Sequence, residues 1–349
     1  MKIEEFGLTK DGQMAHLYTL ENEHGMKAVI SDFGAVLVSL LIPDRNGVVA
    51  DVVLGMRTVA EYEHNDVFLG ACVGRSANRI GGAQFTLNGQ VYHLAVNDGP
   101  NNLHSCPGGY HERMWQAETD TEGPDESVTF SLHSPDGDQG YPGALDIAVT
   151  YTLTAANALM IHYNGVADAD TVINLTNHSY FNLAGEGSGS AMDQLVWIDS
   201  DFFTHTDAGS IPDGELVPVE GTVMDFRTEK PIGRDIESDY EPLIAPGGFD
   251  HNWVLKNGGE LAAVASLTDP ASGRKMTVHT DLPGIQFYAG NSLAGQCIGK
   301  SGKPYGKREG VCFESQYFPN AVNIPSFKSP VKRAGEPYDT TTIYSFETV

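Results

Sequence analysis

The sequence predicts an all-β protein, a large and mostly antiparallel β-sandwich with residues 1–349 as a single domain. Three observations carry this expectation. Several stretches alternate apolar and polar residues with a period of two, the mark of half-buried strands. The 39 glycines and 18 prolines are spread along the chain and not gathered in one linker, as many short strands joined by turns require. Helical 3.6-residue periodicity is nearly absent; only residues 61–65, following Thr58, read as a turn or two of helix.

Along the chain, Phe85 and Leu87 lead into Asn88-Gly89 and then Val91, and Asn-Gly supplies the two positive-φ residues of a tight hairpin. Val128, Phe130 and Leu132 alternate with Thr129 and Ser131. The clearest run is Leu145, Ile147, Val149, Tyr151 and Leu153, and Leu159, Ile161 and Tyr163 continue it after a short connection, so consecutive antiparallel strands are expected. Asp269-Pro270-Ala271-Ser272-Gly273 reads as the loop of another hairpin, between 262–268 and 275–280. In such a sandwich the active groups are expected on loops and strand ends.

Charge and composition exclude several function classes. With 21 Lys plus Arg against 46 Asp plus Glu, the formal charge is −25, which repels nucleic acid and anionic lipid. No apolar run approaches the ~18 residues of a membrane-spanning helix, so no membrane partner is expected. Residues 1–20 lack the apolar middle of a secretory signal, so a cytoplasmic product is expected, a monomer by default because a sandwich of this size buries its own core. Cys72, Cys106, Cys297 and Cys312 form no C-x-x-C pair and read as reduced thiols, suggesting neither zinc nor redox chemistry. Phosphate-loop, zinc-helix and nucleophile-elbow motifs are missing. Gly185-Glu186-Gly187-Ser188-Gly189 reads as a flexible connection, and Asp136-Gly137-Asp138-Gln139-Gly140 as a turn, since it lacks the oxygen ligands of a calcium loop.

Most of the 12 histidines stand isolated on apparently exposed strands, but two sit among hydrogen-bonding side chains. His104 lies in Asn101-Asn102-Leu103-His104, and His178 in Asn174-Leu175-Thr176-Asn177-His178-Ser179-Tyr180-Phe181; from spacing alone each is as well a structural as a functional residue. Glu314 interrupts the apolar run Val311-Cys312-Phe313, and burial there would lift its pKa above the ordinary ~4.3 towards the range of a general base. Asp250 in Gly248-Phe249-Asp250-His251-Asn252-Trp253, and Arg79 in Gly74-Arg75-Ser76-Ala77-Asn78-Arg79, read singly as an ordinary turn or ion pair. Tyr180, Phe181, Trp253, Phe287 and Tyr288 read mostly as core, with one or two available to stack on a sugar.

Together these stretches resemble the aldose 1-epimerase (galactose mutarotase) family. The resemblance runs through nearly the whole chain, adding Gly140-Tyr141-Pro142-Gly143 and segments 283–291 and 313–320 to those above, in family order. It implies a β-sandwich that interconverts the α and β anomers of free aldohexoses, typically galactose and glucose, without metal or organic cofactor. It further implies His178 as general acid, Glu314 as general base, Arg79, His104, Asp250 and Gln286 as sugar-binding groups, and Asn78 and Tyr180 as lining of the same pocket. The chain departs from the family at Ser105-Cys106-Pro107-Gly108, where Gly-Gly usually follows the His, so a different loop is expected beneath His104. The chemistry asks for an ionised Glu314 and a protonated His178, and a neighbouring carboxylate, Glu314 or Asp250, is expected to raise the His178 pKa. Rival readings are a hexose-6-phosphate epimerase, for which Arg75 and Arg79 are too few basic groups, a non-catalytic sugar-binding protein on the same fold, and a paired-carboxylate glycosidase, which the His acid disfavours.

Overall fold

A computed structural model describes residues 1–123 and 125–349. Three antiparallel sheets dominate it. The first has five strands in chain order: Lys2–Leu8, Met14–Glu21, Lys27–Ser31, Leu37–Pro43 and Val49–Asp51. The second has nine, ordered Gln116–Asp120, Glu126–Ser134, Leu145–Leu153, Ala158–Ala167, Pro337–Thr348, Arg274–Thr280, Ala262–Thr268, Leu195–Ile198 and Lys230–Pro231. The third has six, ordered Tyr180–Phe181, Val311–Gln316, Gly284–Tyr288, Asp250–Val254, Phe202–Thr206 and Pro212–Pro218. No helix among the described residues is long and apolar enough to cross a membrane.

The alternating runs behave as expected. Leu145, Ile147, Val149, Tyr151 and Leu153 are all buried, while Asp146 between them is exposed. The Asn-Gly turn joins Gln84–Leu87 to Gln90–His93 with Asn88 at φ 52° and Gly89 at φ 80°, both left-handed as that hairpin needs. The 269–273 loop joins two paired strands, and Asp269 N–H and Gly273 N–H close it against Arg274 and Asp269 carbonyls. The single turn of helix after Thr58 is Val59–Tyr62, capped by the Thr58 hydroxyl, which accepts the Glu61 N–H.

The nine- and six-stranded sheets share one apolar core. Tyr344 stacks against Phe181 at 4.9 Å and donates its hydroxyl to the Phe313 carbonyl, joining the two sheets across that core. Tyr18 meets Phe130 edge-on at 5.4 Å and ties in the five-stranded sheet. Phe313, Phe287 and Trp253 occupy adjacent strands of the six-stranded sheet and point into this core, with Phe287 5.1 Å from Phe313 and 6.0 Å from Trp253.

Arg75 has no accessible surface and works as a strut. Its guanidinium donates to the carbonyls of Pro142 and Gly143, to the Thr171 hydroxyl and to Ser134, so it fastens the 74–80 segment to the 134–143 turn. The 138–140 segment is a short turn, and its Asp138 carboxylate pairs with Arg113 at 2.7 Å. Every donor of Arg75 serves a buried acceptor, so removing it strands several at once. Arg75→Met is expected to lower the unfolding free energy by about 3 kcal/mol or more, measured by urea denaturation; a loss below about 1 kcal/mol would show that the acceptors find other donors.

Candidate active site

The six-stranded sheet has a second, polar face that is also buried. Strand Val311–Gln316 is buried at every position: Val311 and Phe313 point to the apolar core, whereas Cys312, Glu314 and Gln316 point the other way. Register aligns the neighbours on that polar face. Gln286 lies opposite Glu314, Tyr288 opposite Cys312, Asp250 opposite Tyr288 and Asn252 opposite Gln286. Glu314 therefore sits in mid-strand and not on a loop or strand end. A carboxyl can occupy a strand centre here because both faces of the sheet are covered, one by core and one by the elements that close the site.

Those elements are short. Thr176–His178 pairs with Ala71–Val73, and Arg79–Ile80 pairs with Asn102–Leu103. A reciprocal clasp sets His104: its N–H donates to the Asn78 carbonyl, and the Asn78 N–H donates to its Nδ1, each at 3.1 Å. With Nδ1 accepting, the neutral ring carries its proton on Nε2, so His104 is fixed as a donor. His104 and Ser105 both adopt left-handed backbone, at φ 55° and 56°. Ser105 offsets this strain through its hydroxyl, which accepts the Ser76 N–H, donates to the Ser76 carbonyl and meets the Tyr141 hydroxyl at 3.0 Å. The departure at Ser105 thus ties the loop down where glycine would only permit the turn.

The result is a cavity of about 370 Å³ lined by Asn78, Arg79, His104, His178, Tyr180, Asp250 and Glu314, seven of the eight residues singled out in the sequence. Gln286 stands one hydrogen bond behind the wall, its amide donating to Asp250 Oδ1 at 2.7 Å. Sequence reasoning missed Asp66, Phe68 and Asp98, which also line the cavity. Asp98 pairs with Arg79 Nε at 2.7 Å, and the Phe68 ring lies 4.6 Å from His104 and 5.6 Å from His178. An exposed-looking loop Asp and an isolated Phe carry no sequence signal for such roles. Of the five aromatics read as core, Phe181, Trp253 and Phe287 are core, whereas Tyr180 and Tyr288 line the cavity.

His178 Nε2 lies 3.6 Å from Glu314 Oε1, and both side chains are almost wholly buried. Their protonation differs from the sequence expectation. Burial pushes the His178 imidazole down to about 4, against a hydrogen bond to its own carbonyl that favours the charged ring. Burial also pushes the Glu314 carboxyl well above the ordinary range, helped by Asp250 and opposed by Arg79. A carboxylate raises a neighbouring imidazole only while it is itself ionised, and desolvation at this site disfavours that charge. Burial thus favours the uncharged form of each partner. Glu314 Oε2 is buried with no hydrogen-bond partner, an acceptor left over for something that enters the cavity. Arg79 stays charged: burial works against it, but Asp250 and Asp98 outweigh that and hold its pKa above the usual value.

His104, His178 and Glu314 converge closely enough to suggest a cation site. His104 does not fit one, because Asn78 occupies one of its nitrogens and a proton the other, so only two ligands remain.

An all-β sandwich with an imidazole and a carboxyl facing one polar, monosaccharide-sized cavity is the framework of an acid–base enzyme acting on carbohydrate. Comparison with known proteins agrees. Residues 16–345 match the aldose 1-epimerase family model. The chain is 42% identical to galactose mutarotase of Sus scrofa over 321 residues, 92% of this chain and 91% of that protein. It is 37% identical to aldose 1-epimerase of Escherichia coli K12 over 342 residues, 97% of each. Among solved structures, galactose 1-epimerase of Lactobacillus acidophilus superposes with a TM-score of 0.88 at 28% identity, covering 99% of this chain and 98% of that one. The chain belongs to the aldose 1-epimerase family, and is therefore a carbohydrate isomerase.

The raised carboxyl has a sign for stability. An acid whose folded pKa lies above its unfolded value favours the folded state below the unfolded value, here 4.5, and loses that contribution as pH rises. Glu314→Gln is therefore expected to be more stable than the parent at pH 7, with the gap vanishing near pH 4. Urea denaturation at several pH values measures it; a parent more stable than the variant at pH 7 would mean that the carboxyl is ionised in the folded protein.

Proposed function

We propose that this protein interconverts the α and β anomers of free aldohexoses such as galactose and glucose, with Glu314 as general base and His178 as general acid. The 3.6 Å approach of His178 Nε2 to Glu314 Oε1 inside a polar cavity carries the reading. Moving the pair's single proton from Glu314 to His178 across that gap yields carboxylate and imidazolium without exchange with solvent. Glu314 then takes the proton of the anomeric hydroxyl as the bond from C1 to the ring oxygen breaks, and His178 delivers a proton to that oxygen. Rotation about C1–C2 in the open aldehyde presents the other carbonyl face. Closure returns both protons, so none is consumed. Each placed transfer contributes about 10² to 10⁴ in rate.

Arg79 and Asp250, 4.0 Å apart, would hold sugar hydroxyls by charge-assisted hydrogen bonds, with His104 donating from Nε2. Gln286 acts through Asp250, which it orients. The Tyr180 hydroxyl already donates to the Val67 carbonyl at 2.8 Å, so Tyr180 offers a sugar only its ring face. A hexose 6-phosphate is disfavoured: Arg79 is the one cationic side chain among the described residues lining the cavity, beside Asp66, Asp98 and Asp250, and Arg75 is spent inside the fold.

Polarimetry on freshly dissolved α-galactose tests this directly. Glu314→Gln and His178→Asn are each expected to lower the catalysed rate by about 10² to 10⁴, while Arg79→Lys should chiefly raise KM, by about tenfold. A variant at Glu314 or His178 that keeps most of the activity removes the assignment.

The shared proton also shapes the pH profile. With His178 at about 4 and Glu314 well above 4.5, the pair holds one proton throughout the interval between them. The acid limb of kcat/KM should therefore lie near 4, below the ordinary imidazole value. A limb centred near 6.5 would contradict the shared-proton account.

A further inference from the structure

The loop that presents His104 carries a second cluster of ligating groups, which the acid–base reaction does not use. Cys106 Sγ lies 3.6 Å from Glu112 Oε1, and His111 Nε2 lies 3.8 Å from that same oxygen. One ligand atom from each of Cys106, His111 and Glu112 falls within 4.8 Å of the others. His111 is only 4% exposed, and its Nδ1 is buried without a hydrogen-bond partner. A buried imidazole nitrogen with no partner in the fold is uncommon and asks for a reason. Gly109 allows the approach: a Cβ there would stand 2.8 Å from His111 Nδ1 and 3.4 Å from Cys106 Sγ.

The separations suit a small tetrahedral cation, whose ligand atoms stand about 3.5 Å apart for bonds of about 2.0–2.3 Å. A thiol, an imidazole and a carboxylate together select a borderline-soft ion over magnesium or calcium. We propose that Cys106, His111 and Glu112 bind a divalent cation of the zinc class. The sequence expectation that no cysteine serves zinc rested on the missing C-x-x-C pair; here the partners are five and six residues further on and are of other types.

Binding breaks the S–H bond, the sulfur pair goes to the metal, and the proton leaves to the buffer, one per ion. Cys106 is two residues from His104, and the Phe68 ring contacts both His104 and His111, at 4.6 and 5.0 Å. An ion at this place would anchor the loop beneath the sugar-facing imidazole.

Cobalt(II) titration of the chelator-treated full chain tests the site without sugar and independently of mutarotation. The expected result is a near-ultraviolet thiolate-to-cobalt band saturating at one ion per chain, with release of one proton. Cys106→Ser should abolish the band, and Glu112→Gln, a change at an exposed side chain that leaves folding intact, should weaken binding by about 100-fold. Cys297→Ser, in a different part of the fold, should leave band and affinity unchanged. No band in the parent chain, a band that survives in Cys106→Ser, or full affinity in Glu112→Gln overturns the proposal. Cobalt held only by the sugar-cavity groups gives no thiolate band that depends on Cys106 and counts against it as well.

Discussion

Desolvation of one carboxyl beside one imidazole is the constraint around which this molecule is arranged. Water would ionise Glu314 and leave His178 its ordinary basicity; burial disfavours the charged form of each, with the two groups 3.6 Å apart. That requires a sheet closed on both faces. Phe313 and Phe287 seal one side of the six-stranded sheet, and Asn78, His104 and His178, delivered by short strands and left-handed turns, close the other. Arg79 survives in the same surroundings as a cation only because Asp98 and Asp250 stand against it.

Polar groups around the site are fixed by one another. Asn78 holds His104, its amide donates to Gln316, Gln316 donates to Gln286, and Gln286 donates to Asp250. Because each amide has a defined partner, the sugar-facing atoms are set before any ligand arrives, which lowers the ordering cost of binding. Glu314 Oε2 and Asn252 Nδ2 are left without partners on this face.

Local patterns were legible in the sequence because strands and hairpins are written in neighbouring residues: the 145–153 alternation, Asn88-Gly89 and the 269–273 loop all appear as read. The resemblance singled out eight residues scattered along the chain; seven of them line one cavity, and Gln286 stands behind its wall. What could not be read depends on long-range packing. Nothing local to Glu314 says whether it ends its strand or is buried within it, because the cover on the far face comes from distant segments. The direction of the His178 shift followed the charge of its neighbour in the sequence reading, whereas burial in the fold disfavours that charge. His111 and His251, taken among the exposed histidines, are buried, and Asp98 meets Arg79 only after the chain has folded back.

The position of strand Pro337–Thr348 fixes an order of events during synthesis. It lies between Ala158–Ala167 and Arg274–Thr280, so two partners made much earlier must wait with bare edges until it emerges from the ribosome. Until then the nine-stranded sheet exists as two halves, each offering a row of unpaired amides to any passing chain. The molecule's most vulnerable moment is therefore just before translation reaches that segment, and shielding by a chaperone would matter most then.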